Sequence, residues 1–217
     1  MSSIRRRFCG KYNDFSPHLE INVGKNVNSG ISWIYSLVDE VAQEHIKNIF
    51  QTAENVLYSA DFTGEDGWRN YIDEDAAIDW YIMNEFAKNN DAIFYSSVYI
   101  RYNPTDGKLY MGPNWDFDIS CGNINYNGCD NPEGFWIKTA KWITRMFQDP
   151  DFVTHLKARW NNNKTALYNT LLDDGLIQTL ADVNATSAEL NFIKWQILGK
   201  TLVQSPLSST TTSSSIP

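Results

Sequence analysis

The sequence has little positive charge, few cysteines and no long apolar run, and these absences exclude several classes of protein. Eighteen Lys and Arg are outnumbered by twenty-six Asp and Glu, which gives a formal net charge of −8. Non-specific binding to nucleic acid needs basic surfaces, so this class is excluded. No apolar stretch approaches the roughly 20 residues of a membrane-spanning helix. The segment Met1–Phe8 has arginines but no apolar run behind them, which is not the pattern of a signal peptide.

Cysteine is scarce, and its three copies are Cys9, Cys121 and Cys129. The last two flank a loop rich in Gly and Asn. A small disulfide between them and a pair of free thiols are both compatible with this spacing. Metal binding by the pair is disfavoured because no His or third Cys lies nearby.

Aromatic residues are plentiful, at 14% of the chain, and a chain with so many aromatics is expected to fold. The apolar pattern predicts a long helix from about Ile31 to Tyr58. Asp73 is a predicted N-cap, and the helix that it begins should run to about Lys88 and be central to the core. Trp142, Trp160 and Trp195 fall in apolar helical settings, so we expect them to fill the core rather than to stack on a sugar.

A β-hairpin follows that helix. Its first strand is predicted within Phe94–Tyr102 and its second at Lys108–Met111, with a strong turn signal at Asn103–Gly107. Helices are predicted again beyond Glu133, and the last of them spans roughly Ser187–Leu198. The predicted class is therefore α+β, mostly helical, with one small antiparallel hairpin.

Three acidic residues flank this hairpin: Asp91 before it, and Asp116 and Asp118 after it. One strand leads away and the other leads back over a similar length, so Asp91 and Asp116 should lie at the same end of the hairpin. Carboxylates that face one another repel, and a bound cation relieves the repulsion. Oxygen ligands suit Mg²⁺ or Ca²⁺. The alternative is that Asp116 and Asp118 only cap a turn while Trp115 and Phe117 pack in the core.

The order of these features resembles the CotH kinase family of atypical protein kinases. The resemblance covers about Ala53–Gly199 and keeps order and spacing. The segments that carry it are Tyr71-Ile72-Asp73, Asn90-Asp91, the hairpin Tyr99–Met111, Gly112-Pro113-Asn114-Trp115-Asp116-Phe117-Asp118, Gly122-Asn123, Pro132-Glu133-Gly134, Trp142–Phe147 and Phe152–Trp160.

The resemblance implies a kinase-like C-lobe whose hairpin carries the acidic site. It implies transfer of phosphate from ATP to Ser or Thr of a partner protein, with Mg²⁺ as cofactor and Ca²⁺ or Mn²⁺ as alternatives. Asp116 matches the metal-binding Asp of the family and Asp91 the acidic residue ahead of the hairpin, so both are candidate catalytic residues and metal ligands. Asp118 is a further candidate metal ligand. The resemblance also implies an extracellular, cell-surface or spore-coat protein, in which Cys121 and Cys129 would pair if the chain is exported.

The chain departs from a kinase at its front and just after Asp91. Residues 1–28 are predicted to be a loop or the remnant of a missing N-terminal lobe, residues 29–200 the C-lobe, and residues 201–217 a disordered tail rich in Ser and Thr. Lys11 and Lys25 lack the strand context of an ATP-binding lysine, and Ser96 and Ser97 stand where a protein kinase has a metal-binding Asn. The chain is therefore expected to be a fragment of a longer kinase, and the alternative is a non-catalytic binding or scaffold module.

Overall fold

The computed structural model describes residues 4–8, 19–23, 40–94 and 98–197, with side chains from residue 44 onward. The elements follow in the order β1 (Ile4–Phe8), β2 (Leu19–Val23), α1 (Glu40–Leu57), α2 (Glu74–Phe86), β3 (Ile100–Asn103), β4 (Lys108–Met111), α3 (Lys141–Met146), α4 (Pro150–Thr170) and α5 (Leu176–Lys194). Short 3-10 turns lie at Trp68–Asn70, Asn90–Ala92 and Ile137–Thr139. The predicted α+β class is confirmed.

Some sequence-based predictions fall outside this description. They concern Lys11, Lys25, Ser96, Ser97 and the tail 201–217. The start of the first helix, predicted near Ile31, also lies outside the described residues, which enter that helix at Glu40.

Residues 1–28 contain an antiparallel strand pair rather than only loop. In β1 and β2, Ile4 lies opposite Val23 and Arg7 lies opposite Glu20. The segment Leu19–Val23 alternates apolar and polar residues, which is the period of a strand. These ten residues are strands rather than loop. The other alternative, the remnant of an N-terminal lobe, stays a prediction.

The described residues form two compact units, Met1–Lys157 and Ala158–Pro217. The first unit holds the main core, which gathers large side chains from α1 to the start of α4: Leu57, Trp68, Ile72, Ile78, Leu109, Trp142, Ile143, Met146 and Phe152. The second unit holds the end of α4 and α5, and α5 has no buried residues.

The prediction for the three helical tryptophans is confirmed in one case and wrong in two. Trp142 is 1% exposed and donates from Nε1 to the buried carboxylate of Glu54 at 2.9 Å. Trp160 is 38% exposed and Trp195 is 57% exposed. Both belong to the second unit, in which a pair of helices offers too little volume to enclose large side chains.

Helix α2 begins as the sequence predicts. The carboxylate of Asp73 accepts a hydrogen bond from the backbone N–H of Ala76 at 2.8 Å, which is the geometry of an N-cap. Glu74 and Asp75 place negative charge in the first turn, where the helix dipole favours it. Backbone bonds join Asp73 and Tyr71 to Leu109 of β4, so the helix start is fixed to the hairpin.

The hairpin pairs Ile100 with Met111 and Asn103 with Lys108. Gly107, with a φ of 73°, makes the predicted turn possible. The N–H of Gly112 donates to the carbonyl of Tyr99 at 2.8 Å, which extends the pairing one step beyond β4. The hairpin therefore delivers the segment after Gly112 to the same end as the residues before β3.

A buried ion-pair network fixes the start of α4. Asp149, 1% exposed, accepts hydrogen bonds from Trp68 Nε1 at 3.0 Å and from Arg69 Nη1 at 2.6 Å. The same guanidinium contacts Glu74 at 2.7 Å, and Glu74 contacts His155 Nδ1 at 3.0 Å. Burial would raise the pKa of Asp149, but the hydrogen bonds from Trp68 and Arg69 outweigh it and hold the pKa below its usual value. This network joins the loop before α2 to the first turns of α4.

We predict that Asp149→Ala lowers the free energy of unfolding by about 1–3 kcal/mol, because it leaves the buried Trp68 indole N–H without its acceptor and removes one of the two carboxylates that Arg69 contacts. Urea unfolding at pH 7 measures the change. Asp66→Ala, at an exposed position in the preceding loop, is the control and should change the free energy by less than about 0.5 kcal/mol.

The same comparison at lower pH tests the cause. A carboxyl whose folded-state pKa is lowered stabilises the protein above its unfolded pKa of about 4. This contribution is lost as the pH falls through the lowered folded value, so the difference between wild type and Asp149→Ala should shrink with acidification. A difference that stays constant from pH 7 to pH 3 would contradict an electrostatic origin.

Candidate active site

Asp91 lies in the 3-10 turn Asn90–Ala92, just after α2. It is half-buried, and its Oδ1 atom is buried. The side chain of Asn89 caps this turn by accepting a hydrogen bond from the N–H of Asp91 at 3.3 Å. The position of Asp91 is therefore set by the end of α2 and by the residue that caps the turn.

Asp116 and Asp118 lie in residues 112–119, which we call the acidic loop. Both carboxylates are exposed. Asp116 has a φ of 61°, in the left-handed region that Asp tolerates better than most residues. The loop therefore holds Asp116 in a specific, less common backbone conformation.

Two buried amides connect the acidic loop to α2. Asn84, 2% exposed, donates from Nδ2 to the Oδ1 of Asn114 at 2.8 Å. Asn89, 1% exposed, donates from Nδ2 to the Oδ1 of Asn84 at 3.1 Å and to the backbone carbonyl of Asp116 at 3.4 Å. The backbone of Asp116 is thus bound to the side chain that also caps the turn of Asp91.

Backbone hydrogen bonds reinforce this docking. The N–H of Asn90 donates to the carbonyl of Ile119 at 3.3 Å, and the N–H of Cys121 donates to the carbonyl of Ala87 at 2.6 Å. Both ends of the acidic loop are therefore attached, one to the hairpin and the other to the turn after α2.

The loop of residues 121–131, rich in Asn and Gly, packs against the same turn through Asn90. The Oδ1 of Asn90 accepts hydrogen bonds from Asn127 Nδ2 at 2.9 Å and from the thiol of Cys129 at 3.5 Å. The indole N–H of Trp136 donates to the carbonyl of Asn90 at 3.2 Å. Asn90, 4% exposed, therefore anchors the second loop as Asn89 anchors the first.

Tyr126 is influenced by the charge of two of the candidate acids. Burial raises the pKa of its hydroxyl, and the negative charges of Asp91 and Asp118 raise it further. The contact that the structure shows between the two acidic segments is made by Asn89, which binds the carbonyl of Asp116 and the N–H of Asp91.

Lys88 is the cation of this region that sequence reasoning did not single out. Its ammonium group donates to the backbone carbonyls of Asn131 and Glu133. Its charge lowers the pKa of the Cys129 thiol, although burial dominates and leaves that pKa raised. Lys88 therefore holds the 131–133 segment at the end of α2.

The donor set suits an open metal site rather than a closed one. Within the part of the chain that the structure describes, no three His, Cys, Asp or Glu side chains converge on a point that could hold a metal ion. Mg²⁺ in phosphoryl-transfer sites is held by one or two carboxylates and completes its shell with waters and substrate phosphates. The exposed oxygens of the acidic loop fit that arrangement.

The amides of Asn84, Asn89 and Asn90 were also missed by sequence reasoning. From sequence alone, Asn is expected in solvated turns. These Asn side chains are buried because residues distant in sequence, such as Asn114, satisfy their hydrogen bonds. The one available signal is that three Asn stand on or just behind a helix that is apolar around most of its surface.

Cys121 and Cys129 are not joined. Both are free thiols, with Cys121 exposed and Cys129 buried. Of the two alternatives that the spacing allowed, the structure has the pair of thiols, and the disulfide expected for an exported chain is absent between them. Cys129 packs with Ile119 and Ile124 in a small cluster of its own, which directs its sulfur inward.

We predict that a Cys9→Ser variant has one rapidly reacting thiol when native and two when unfolded, because burial protects Cys129 and raises its pKa. Titration with a thiol reagent, with and without denaturant and without reductant, measures both numbers. Cys121→Ser in the same background should remove the rapid reaction. Finding no reactive thiol in the unreduced, unfolded protein would show a disulfide.

Comparison with known proteins identifies the family of this chain. A search of curated proteins and a search of solved structures gave no match. A family model described as CotH kinase protein matches residues 10–214, which is nearly the whole chain. The chain therefore belongs to the CotH kinase protein family.

Proposed function

We propose that this protein transfers the γ-phosphoryl group of ATP to a Ser or Thr hydroxyl of a partner protein, with Mg²⁺ as cofactor. Membership of the CotH kinase protein family gives the kinase-type function. The acceptor, the nucleotide and the metal are the proposal. Among the described residues, no helix is long and apolar enough to span a membrane.

The observation that carries the proposal is the docking of the acidic loop onto the turn of Asp91. Phosphoryl transfer depends on positioning and on neutralising charge rather than on covalent help from the enzyme. It needs one carboxylate near the acceptor hydroxyl and another at the phosphates. Asn89 contacts the backbone of both Asp91 and Asp116, so the two segments are held in one place.

In the proposed reaction the acceptor oxygen attacks the γ-phosphorus, and a new O–P bond forms. The bond from the γ-phosphorus to the bridging oxygen breaks, and ADP leaves with the electron pair. Asp91 orients the hydroxyl and takes its proton, which then passes to solvent. Asp116 would hold Mg²⁺, with Asp118 as a second oxygen ligand. When bound, Mg²⁺ supplies positive charge at the β- and γ-phosphates.

The charge balance points to a basic group beyond the described site. Between Gly112 and Asn131 the sequence has no Lys or Arg, and the ammonium of Lys88 is engaged by backbone carbonyls. ATP brings about four negative charges to a site already lined by carboxylates, more than one divalent ion offsets. We therefore propose that this chain functions within a longer protein in which another segment supplies the phosphate-binding lysine.

The second candidate is a binding or scaffold module of a surface or spore-coat protein that keeps the fold without the chemistry. One observation favours it. Ser96 and Ser97 stand where a protein kinase has a second metal ligand. In this case the acidic loop would serve as a recognition surface.

We predict that the full gene product phosphorylates a protein acceptor and that Asp116→Ala lowers the transfer rate by at least about 100-fold, because the phosphates lose their metal ligand. Transfer of radiolabelled phosphate from ATP measures the rate in Mg²⁺ and in Mn²⁺. Asp106→Ala, at the exposed turn of the same hairpin, is the matched control and should keep the wild-type rate.

The 217-residue chain, assayed alongside, should bind ATP poorly and transfer little. Robust, Asp116-dependent transfer by this short chain would contradict the need for a further basic segment. A full gene product that folds but transfers no phosphate would reject the catalytic function in favour of the binding module.

A further inference from the structure

We infer that Asn89 is the positioning residue of this site and sets the spacing between the segments of Asp91 and Asp116. The catalytic role of Asn89 rests on the proposed function, whereas its role as a bridge rests on its hydrogen bonds. Both halves of the Asn89 amide are engaged. Oδ1 accepts from the N–H of Asp91 at 3.3 Å, and Nδ2 donates to the carbonyl of Asp116 at 3.4 Å.

One planar amide thus joins two backbone segments that are distant in sequence. Neither carboxylate is consumed by this contact, because Asn89 binds a backbone N–H on one side and a backbone carbonyl on the other. A carboxylate in place of Asn89 could accept from Asp91 but could not donate to Asp116, whereas the amide serves both partners.

Burial makes the bridge rigid. Asn89 is 1% exposed, and its Nδ2 is also held by the Oδ1 of Asn84 at 3.1 Å. Asn84 in turn donates to the carbonyl of Trp80 within α2. The helix α2 therefore sets the position of the Asn89 amide. Supporting residues of this kind affect metal affinity and rate without touching the reacting atoms.

Asn90 offers a matched control. It is the next residue, is 4% exposed and also lies in the turn, but its side chain holds Asn127 and Cys129 of the following loop. Replacing either Asn with Ala removes at least two hydrogen bonds made by a buried side chain. Only loss of Asn89 should release the acidic loop.

The test compares Asn89→Ala, Asn89→Asp and Asn90→Ala in the full gene product by hydrogen exchange and by titration with Mn²⁺. For Asn89→Ala we expect faster amide exchange in both 90–94 and 112–119 and Mn²⁺ affinity lowered by about tenfold. Asn89→Asp keeps the acceptor for the Asp91 N–H and loses the donor to Asp116 and to Asn84. It should therefore speed exchange in 112–119 more than in 90–94. Asn90→Ala should speed exchange in 121–129 and leave Mn²⁺ affinity within about twofold of wild type.

The kinetics of phosphate transfer provide a separate test. If the protein transfers phosphate, Asn89→Ala should lower kcat by about tenfold while the KM for ATP changes less than twofold, because geometry rather than nucleotide binding is lost. If no variant transfers phosphate, the proposed function fails while exchange and Mn²⁺ titration still decide the role of Asn89. The inference is overturned if residues 112–119 exchange at the wild-type rate in Asn89→Ala, or if Asn90→Ala gives the same changes. If Asn89→Ala does not fold, Asn89→Asp is compared with Asn90→Ala instead. The inference then requires faster amide exchange in residues 112–119 in Asn89→Asp than in Asn90→Ala.

Discussion

Two buried amides, Asn84 and Asn89, hold the acidic loop against the end of α2, and the arrangement of the candidate site depends on this contact. A buried amide costs free energy unless its donors and acceptors are paired, so the contact forms only when the loop is in place. The helix is fixed at its other end by Asp73 and by backbone bonds to β4. The hairpin and the amides therefore fix the same loop from two sides.

Neutral amides are suited to this position because the surroundings are acidic. Asp91 lies in the turn that Asn89 caps, and the backbone of Asp116 contacts Asn89. A Lys or Arg in place of Asn89 would pair with a carboxylate and occupy it. Among the described residues near this turn, Lys88 directs its ammonium group to backbone carbonyls of the next loop. In contrast, the buried charge of Asp149 is paired with the partly exposed guanidinium of Arg69 and stabilises the fold.

Local features were predictable from the sequence because each is coded by neighbouring residues. They include the Asp73 cap, the turn Asn103–Gly107 and the hairpin itself. Boundaries were less predictable: α5 begins at Leu176 rather than near Ser187, since it has no single apolar face to mark its length. The approach of the two acidic segments followed from the hairpin. The amides that hold them could not be predicted, because Asn89 and Asp116 become partners only in the folded chain.

The most direct test of this account is a crystal structure of the protein grown with Mn²⁺, with the ion located by its anomalous scattering. The account predicts one ion at the acidic loop, with the carboxylates of Asp91 and Asp116 roughly 4–8 Å apart and the Asn89 amide between their backbones. Carboxylates more than about 12 Å apart, or an ion bound only elsewhere, would contradict a shared site.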